Sequence, residues 1–399
     1  MDLIITDWLS LILRWAHVMT GIAWIGTSFY FIWLDGSLRQ GERAKEGVLG
    51  ESWMVHGGGF YQVEKYSVAP KSLPKELHWF KYEAYFTWIT GILLLAVIYY
   101  WGAEAFLIDP SVANISAPYA IALSIGFLLV GWLAYDLLCR SPLGTRTDVL
   151  AVSVFLLITA ASWGLGMLFS GRAAFLHSGA FIGTIMAANV FFIIIPNQKK
   201  TVAALIAGKA PDPNLGKTAK QRSLHNNYLT LPVVLMMVSN HYPLLYANGR
   251  GWLMAAGVVV LGGLIRHYFN SRNTGQRDWS YPFLIPAAVL AVILLALVPT
   301  LTNERKVPYS GEPITFAQVE AIVKARCVSC HASDPSDESF DEAPGGVVFD
   351  EPGAIKRNAG RIYAQSVLSD TMPLGNVTEM TDEERALLGE WYAQGAPDR

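Results

Sequence analysis

Cys327-Val328-Ser329-Cys330-His331 carries the most specific chemistry in this chain. Two thiols with two residues between them can add to the vinyl groups of a haem, and the histidine that follows at once offers an axial imidazole to its iron. A zinc ribbon would need a second cysteine pair, and a thioredoxin-like redox pair would need a βαβ setting. Cys139 is the only other cysteine and no such pattern surrounds the motif. One covalent c-type haem is therefore expected, attached at Cys327 and Cys330 with His331 on the iron.

The elements that must carry this motif are mostly apolar. Of 399 residues, 52% are hydrophobic and 16% charged, too few charges for an ordinary soluble protein. A net charge of −2, without a basic run interleaved with aromatics, argues against nucleic-acid binding. Apolar segments fall near 8–34, 82–101, 118–138, 149–169, 174–196, 225–242, 251–269 and 281–301, each long enough to cross a bilayer. The first is too long for a signal-peptide core and lacks a basic n-region and an A-x-A cleavage site, so it reads as a retained helix. Pro232 interrupts the sixth, whose ends carry Asn226, Asn227, Asn240 and His241. Lysines and arginines cluster between the first two segments and between the fifth and sixth, which puts those loops in the cytoplasm by the positive-inside rule. An even number of spans then leaves both termini outside. That puts the haem motif in the periplasm, where bacteria attach c-type haem.

The expected fold is all-α: an eight-span membrane bundle (1–301), a polar linker (302–312) and a small class I-like cytochrome c domain (313–399). In the last, Thr315 is the expected cap of a helix with Phe316, Val319, Ile322 and Val323 on its apolar face. Thr381 caps a second, with Asp382, Glu383 and Glu384 in its first turn and Leu387, Leu388 and Trp391 facing inward. The haem needs a sixth ligand, and a thioether there raises the potential. Met372, in the loop Ser-Asp-Thr-Met-Pro-Leu-Gly-Asn, resembles the axial ligand of small bacterial cytochromes c. Met380, beside the cap, reads as an apolar staple, and Asn376 as a residue that orients Met372.

Histidines fall into two tiers. His17 and His241, with His177, belong to the outer half; His225 and His267, with His56 and His78, belong to the inner side. Imidazole is costly in hydrocarbon unless paired, and a b-type haem on His17, His225, His241 or His267 is one way to satisfy it. Gly21, one turn below His17, would let a macrocycle approach. The plainer alternative is a set of hydrogen-bonded interfacial histidines. No closely spaced group suits copper, so a haem-copper oxidase is disfavoured. In the first cytoplasmic loop, Gly57-Gly58-Gly59 lies beside Phe60, Gln62 and Glu64, which offer an aromatic face, an amide and a carboxylate to a flat anion.

Three stretches resemble the bacterial membrane-bound, cytochrome c-linked urate oxidases. They are Arg-Trp-Ala-His-Val-Met-Thr-Gly-Ile-Ala-Trp-Ile-Gly-Thr-Ser-Phe-Tyr from Arg14, Gly57-Gly58-Gly59-Phe60-Tyr61, and His225-Asn-Asn-Tyr-Leu-Thr-Leu-Pro with Ser239-Asn240-His241-Tyr242-Pro243. The resemblance runs along essentially the whole chain. It implies oxidation of urate to 5-hydroxyisourate in a bacterial inner membrane. Electrons would leave through the cytochrome domain to a respiratory acceptor, such as a soluble cytochrome c or a terminal oxidase, rather than go directly to oxygen. On that reading Gln62 or an arginine holds the planar anion by paired hydrogen bonds, Phe60 stacks on it, and Glu64 or a histidine deprotonates urate or water. The competing classes are a quinol-linked membrane oxidoreductase with the same outlet, and a transporter or sensor with a fused redox module.

Overall fold

The computed structural model describes residues 2–40, 47–67, 73–110, 112–246, 249–275, 279–301, 314–337, 340–367 and 371–397. The expected linker, 302–312, lies outside them. The chain opens with α1 (Asp2–Ser37), followed by β1 (Val48–His56), β2 (Gly59–Tyr66), α2 (Tyr82–Leu95), α3 (Ala117–Arg140), α4 (Thr147–Gly166) and α5 (Gly171–Ala188). Then come α6 (Ile195–Ile206), α7 (Pro213–Val238), α8 (Gly251–Thr274) and α9 (Tyr281–Leu301). Boundaries follow local chemistry. Ser170 Oγ accepts from Ala173 N–H at the start of α5, Asp212 accepts from Asn214 N–H before Pro213 at the start of α7, and Gly275 in a left-handed conformation (φ +71°) ends α8.

Among the described residues, seven helical stretches are long and apolar enough to cross a membrane: Ile5–Ser37, Tyr82–Tyr100, Ala117–Arg140, Thr147–Gly166, Gly171–Ile206, Gly251–Thr274 and Tyr281–Val298. The expected fifth span is longer than its apolar run, because a wide π-helical stretch at Asn189–Ile194 joins α5 to α6 without a break. The expected sixth span is α7, which has the length but not the hydropathy. Its polarity has a structural cause. At about 100° per residue, four consecutive side chains sweep the whole circumference of a helix. In α7 each of four meets a different polar group: His225 meets Tyr135, Asn226 meets Asn189, Asn227 meets Arg266 and Asn270, and Tyr228 meets His267. A helix enclosed by α3, α5 and α8 does not need an apolar outer face.

Two glycines let the neighbours close on α7. A Cβ at Gly179 would lie 2.8 Å from Met236 Cβ, and one at Gly262 only 2.4 Å from the Pro232 ring. The ring has no rotamer to escape into, so Gly262→Ala is expected to destabilise the bundle by about 1–3 kcal/mol through overpacking. Thermal unfolding in detergent measures this, and an unchanged midpoint would show that the two helices can part freely.

The all-α expectation needs one correction. The first connection folds as an antiparallel hairpin, β1 paired with β2 from Val48↔Tyr66 to His56↔Gly59. Its strands are rich in valine and aromatics, and Gly57 and Gly58 both take positive φ (+57° and +79°), as a tight two-residue hairpin turn requires. Lys65 pairs with Asp35 at 2.7 Å, and Ser37 bonds Ser52 at 3.0 Å, which fixes the hairpin to the end of α1.

The C-terminal residues form a small helical unit with its own core, built on α10 (Phe316–Arg326), α11 (Pro352–Arg357), α12 (Ala359–Ile362) and α13 (Asp382–Ala393). Val319, Val323, Leu388 and Trp391 are buried where α10 meets α13, and Arg326 bridges Glu384 at 3.0 Å. Both expected caps form. Thr315 N–H donates to Gln318 Oε1, and Thr381 and Glu384 bond reciprocally.

Candidate functional site

At the end of α10, Cys327, Cys330 and His331 line a cavity of about 550 Å³, and Met372 lines it too. Nδ1–H of His331 donates to the Val347 carbonyl at 2.9 Å, so Nε2 carries the lone pair. That arrangement, two thiols and a thioether around an apolar cavity, fits a c-type haem. Burial pushes the Cys327 thiol up to about 12, with the neighbouring Cys330 adding to the shift, and Cys330 is pushed up as well. A redox-active Cys-x-x-Cys pair shows the opposite direction. Met380 is buried in the hydrophobic core.

The loop that presents Met372 is held by a residue the sequence reading passed over. Arg385, 3% exposed, donates from Nη1 to the carbonyls of Met372 and Ser366, both at 2.7 Å, and from Nη2 to Asn376 Oδ1 at 3.2 Å. Asn376 Oδ1 also accepts from Met380 N–H. The signal was present: Arg385 stands three residues before Leu388 on the inward stripe of α13, where a charge has to have a buried partner.

The 550 Å³ cavity is not closed by the C-terminal unit alone. Phe106 and Arg172, from the membrane-length part of the chain, complete its wall. Gly375 seats the contact. Its φ is +60°, and a Cβ there would lie 2.9 Å from the Glu104 carbonyl oxygen and 3.1 Å from that of Ala105. Gly375→Ala would combine this clash with backbone strain of about 1–3 kcal/mol. Faster amide exchange at 103–108 and 371–377 is the expected result. Unchanged exchange would mean that Gly375 does not seat the two parts.

Arg172 is itself fixed from behind. Its Nε donates to Asn240 Oδ1 at 3.2 Å, the Tyr99 hydroxyl donates to the same oxygen at 3.2 Å, and the guanidinium lies 5.5 Å from the Phe106 ring centre. Among the described residues no carboxylate pairs with Arg172. A second cavity, of about 190 Å³, adjoins the first and shares Phe106, Arg172 and Leu374 with it.

The histidines are dispersed. His17 Nδ1–H donates to the Thr87 carbonyl at 3.0 Å, and Thr90 Oγ1 lies 3.1 Å away. Gly91 admits the His17 ring, since a Cβ there would be 3.0 Å from His17 Cε1; Gly21, read from the sequence as room for a macrocycle, faces the Thr87 methyl. His225 bonds the Tyr135 hydroxyl and His267 the Tyr228 hydroxyl, each at 2.7 Å. His241 is exposed in a short turn after α7. His177 is buried between the Ala173 carbonyl and Ser124 Oγ.

Phe60, Gln62 and Glu64 line neither cavity. Phe60 is 79% exposed, Gln62 donates to Glu51 at 2.7 Å and Glu64 accepts from the Tyr66 hydroxyl at 2.6 Å. Their hairpin sits where α1 ends, beside the C-terminal end of α8, since Gly36 packs on Asn273 and Thr274. The two cavities are at the other end of α8, where Gly251 packs on Tyr246. A helix of 24 residues separates them, roughly 36 Å.

A family model described as urate oxidase N-terminal matches residues 3–297. The chain belongs to the urate oxidase N-terminal family. No curated protein and no solved structure matches it. The matched span of this urate oxidase-like chain includes Phe106, Arg172, Asn240 and all but the ends of the helical bundle. It stops short of Cys327, so the family accounts for one side of the junction between the cavities and not for the unit that carries Cys327, Cys330 and His331.

Proposed function

We propose that this protein is a membrane-bound, cytochrome c-linked urate oxidase. Urate and water give 5-hydroxyisourate, two protons and two electrons, and the electrons leave through the C-terminal unit to a respiratory acceptor. A c-type haem held by Cys327, Cys330, His331 and Met372 would supply one-electron acceptance at a potential raised by its thioether ligand. The observation that carries this reading is the shared wall. Phe106 and Arg172, from the family-matched part, reach the cavity that the two cysteines line. A redox outlet serves an oxidase only where the two meet.

Membrane residence is supported by the apolar exterior of α1 and α9, including Trp15, Ile22, Phe283 and Leu290. Orientation is supported by a second coincidence. The C-terminal unit packs on the segment after α2 and shares a cavity with the starts of α5 and α8, and the lysine and arginine bias assigns those ends to the outside. His17, with Nδ1–H on a carbonyl of another helix, has the arrangement of His331 and is the membrane histidine best suited to a further, non-covalent haem.

The test is anaerobic addition of urate to the intact, haem-loaded protein. Appearance of the ferrous c-haem spectrum, with 5-hydroxyisourate as product and no quinol supplied, is expected. A ferric spectrum that persists in urate but yields to dithionite would overturn the function.

A further inference from the structure

We infer that the 190 Å³ cavity at the junction is the substrate site, and that it takes a small planar heteroaromatic anion whose charge is met by Arg172. The inference rests on the urate oxidase reading and says where on the molecule that substrate binds. Three features of the cavity support it. Its volume lies below the roughly 300–1,000 Å³ of drug-sized pockets and suits one fused ring system. Its wall is aromatic, with Phe106, Trp163, Phe169, Phe175, Tyr246 and Trp252, which offers stacking faces to a flat ring. Its charged lining residues are one cation, Arg172, and one buried carboxylate, Asp109.

Their chemistry divides naturally. The Arg172 guanidinium is pre-oriented by Asn240, so little side-chain freedom is lost when it binds an anion. Asp109 lines the same cavity and is the carboxylate that would accept a proton as urate and water lose two. Arg172 and Phe106 also border the adjoining cavity, so a ring bound here lies one side chain away from the group that Cys327 and Cys330 would hold. The hairpin, a helix length away, has no such neighbour.

Gly166 makes the test specific. It lines the 190 Å³ cavity and not the larger one, and a Cβ there meets nothing within 4 Å, so a side chain can be added without a clash at its root. Radiolabelled urate is dialysed against full-length, haem-loaded protein kept reduced with dithionite, so that no turnover occurs. Gly166→Phe is expected to remove binding, and Arg172→Gln to raise Kd at least tenfold, with the c-haem spectrum of both unchanged. In turnover, Asp109→Asn is expected to lower kcat at least tenfold with KM within a factor of about two. Wild-type Kd in Gly166→Phe would overturn the site, and urate-driven haem reduction in that variant would show that the function stands without it. A shift in haem potential in Arg172→Gln with an unaltered urate Kd would assign the arginine to the haem and overturn its role here. A wild-type protein that neither binds urate nor is reduced by it would overturn the function and the site together.

Discussion

Acid acetone is expected to leave a red, haem-bearing polypeptide when applied to the wild-type protein and a colourless one when applied to the Cys327→Ala, Cys330→Ala double variant. Thioether bonds survive the solvent; coordination by His331 and Met372 does not. The variant's cavity keeps its imidazole and thioether, so haem that enters it remains extractable. The same variant is expected to lose urate-driven reduction of an external acceptor by at least about 10³-fold, equivalent to roughly 4 kcal/mol of activation free energy. The two readouts separate attachment from function. A variant whose haem still resists extraction would refute the role of the cysteines, whatever its activity. Undiminished activity in a variant free of haem would refute the outlet.

The Cys327, Cys330 and His331 lining of the larger cavity was legible because it is contiguous in the sequence. Cys327, Cys330 and His331 lie within five residues, and the caps Thr315 and Thr381 announce the helices on either side. The junction was not legible. Arg172, Asn240 and the pair Tyr99 and Phe106 come from three separated places, and only the packing of the segments that follow α2 and α7 against the start of α5 brings them together. Each has an ordinary explanation when met alone: a rim cation, a polar helix end, two interfacial aromatics. The hairpin shows the reverse. Consecutive glycines beside aromatics suggest a ligand cradle, but Gly57 and Gly58 are consumed by the turn itself. Val48, Trp53, Val55, Phe60 and Val63 flanking a Gly-Gly pair was the available strand signal. The polar face of α7 was visible in the sequence, but its reason, a helix enclosed by three polar partners, belongs to the tertiary structure.

That enclosure leads to the second large effect. Arg222 of α7 is 1% exposed and donates from Nη2 to Asp136 of α3 at 2.7 Å, while Arg140 reaches the other carboxylate oxygen at 2.6 Å. Nε and Nη1 of Arg222 make no hydrogen bond among the described residues, and the guanidinium lies 4.9 Å from the Tyr135 ring centre. Asp136 is thus the anion that makes burial of Arg222 tolerable. Asp136→Ala strands a cation in the bundle and is expected to cost about 3–5 kcal/mol. Arg222→Met leaves Asp136 its exposed partner Arg140 and is expected to cost less, about 1–2 kcal/mol. The Asp136→Leu, Arg222→Met pair removes both charges and replaces them with apolar bulk, so it is expected to be more stable than Asp136→Ala alone. Denaturant titration of the detergent-solubilised protein, followed by tryptophan fluorescence, gives all three values. Losses in Asp136→Leu alone and Arg222→Met alone that add up in their pair would mean that the ions act independently. Greater stability in the double variant than in Asp136→Ala would show that the cost of losing Asp136 is the unpaired arginine left behind, and that α3 and α7 hold together without the bridge.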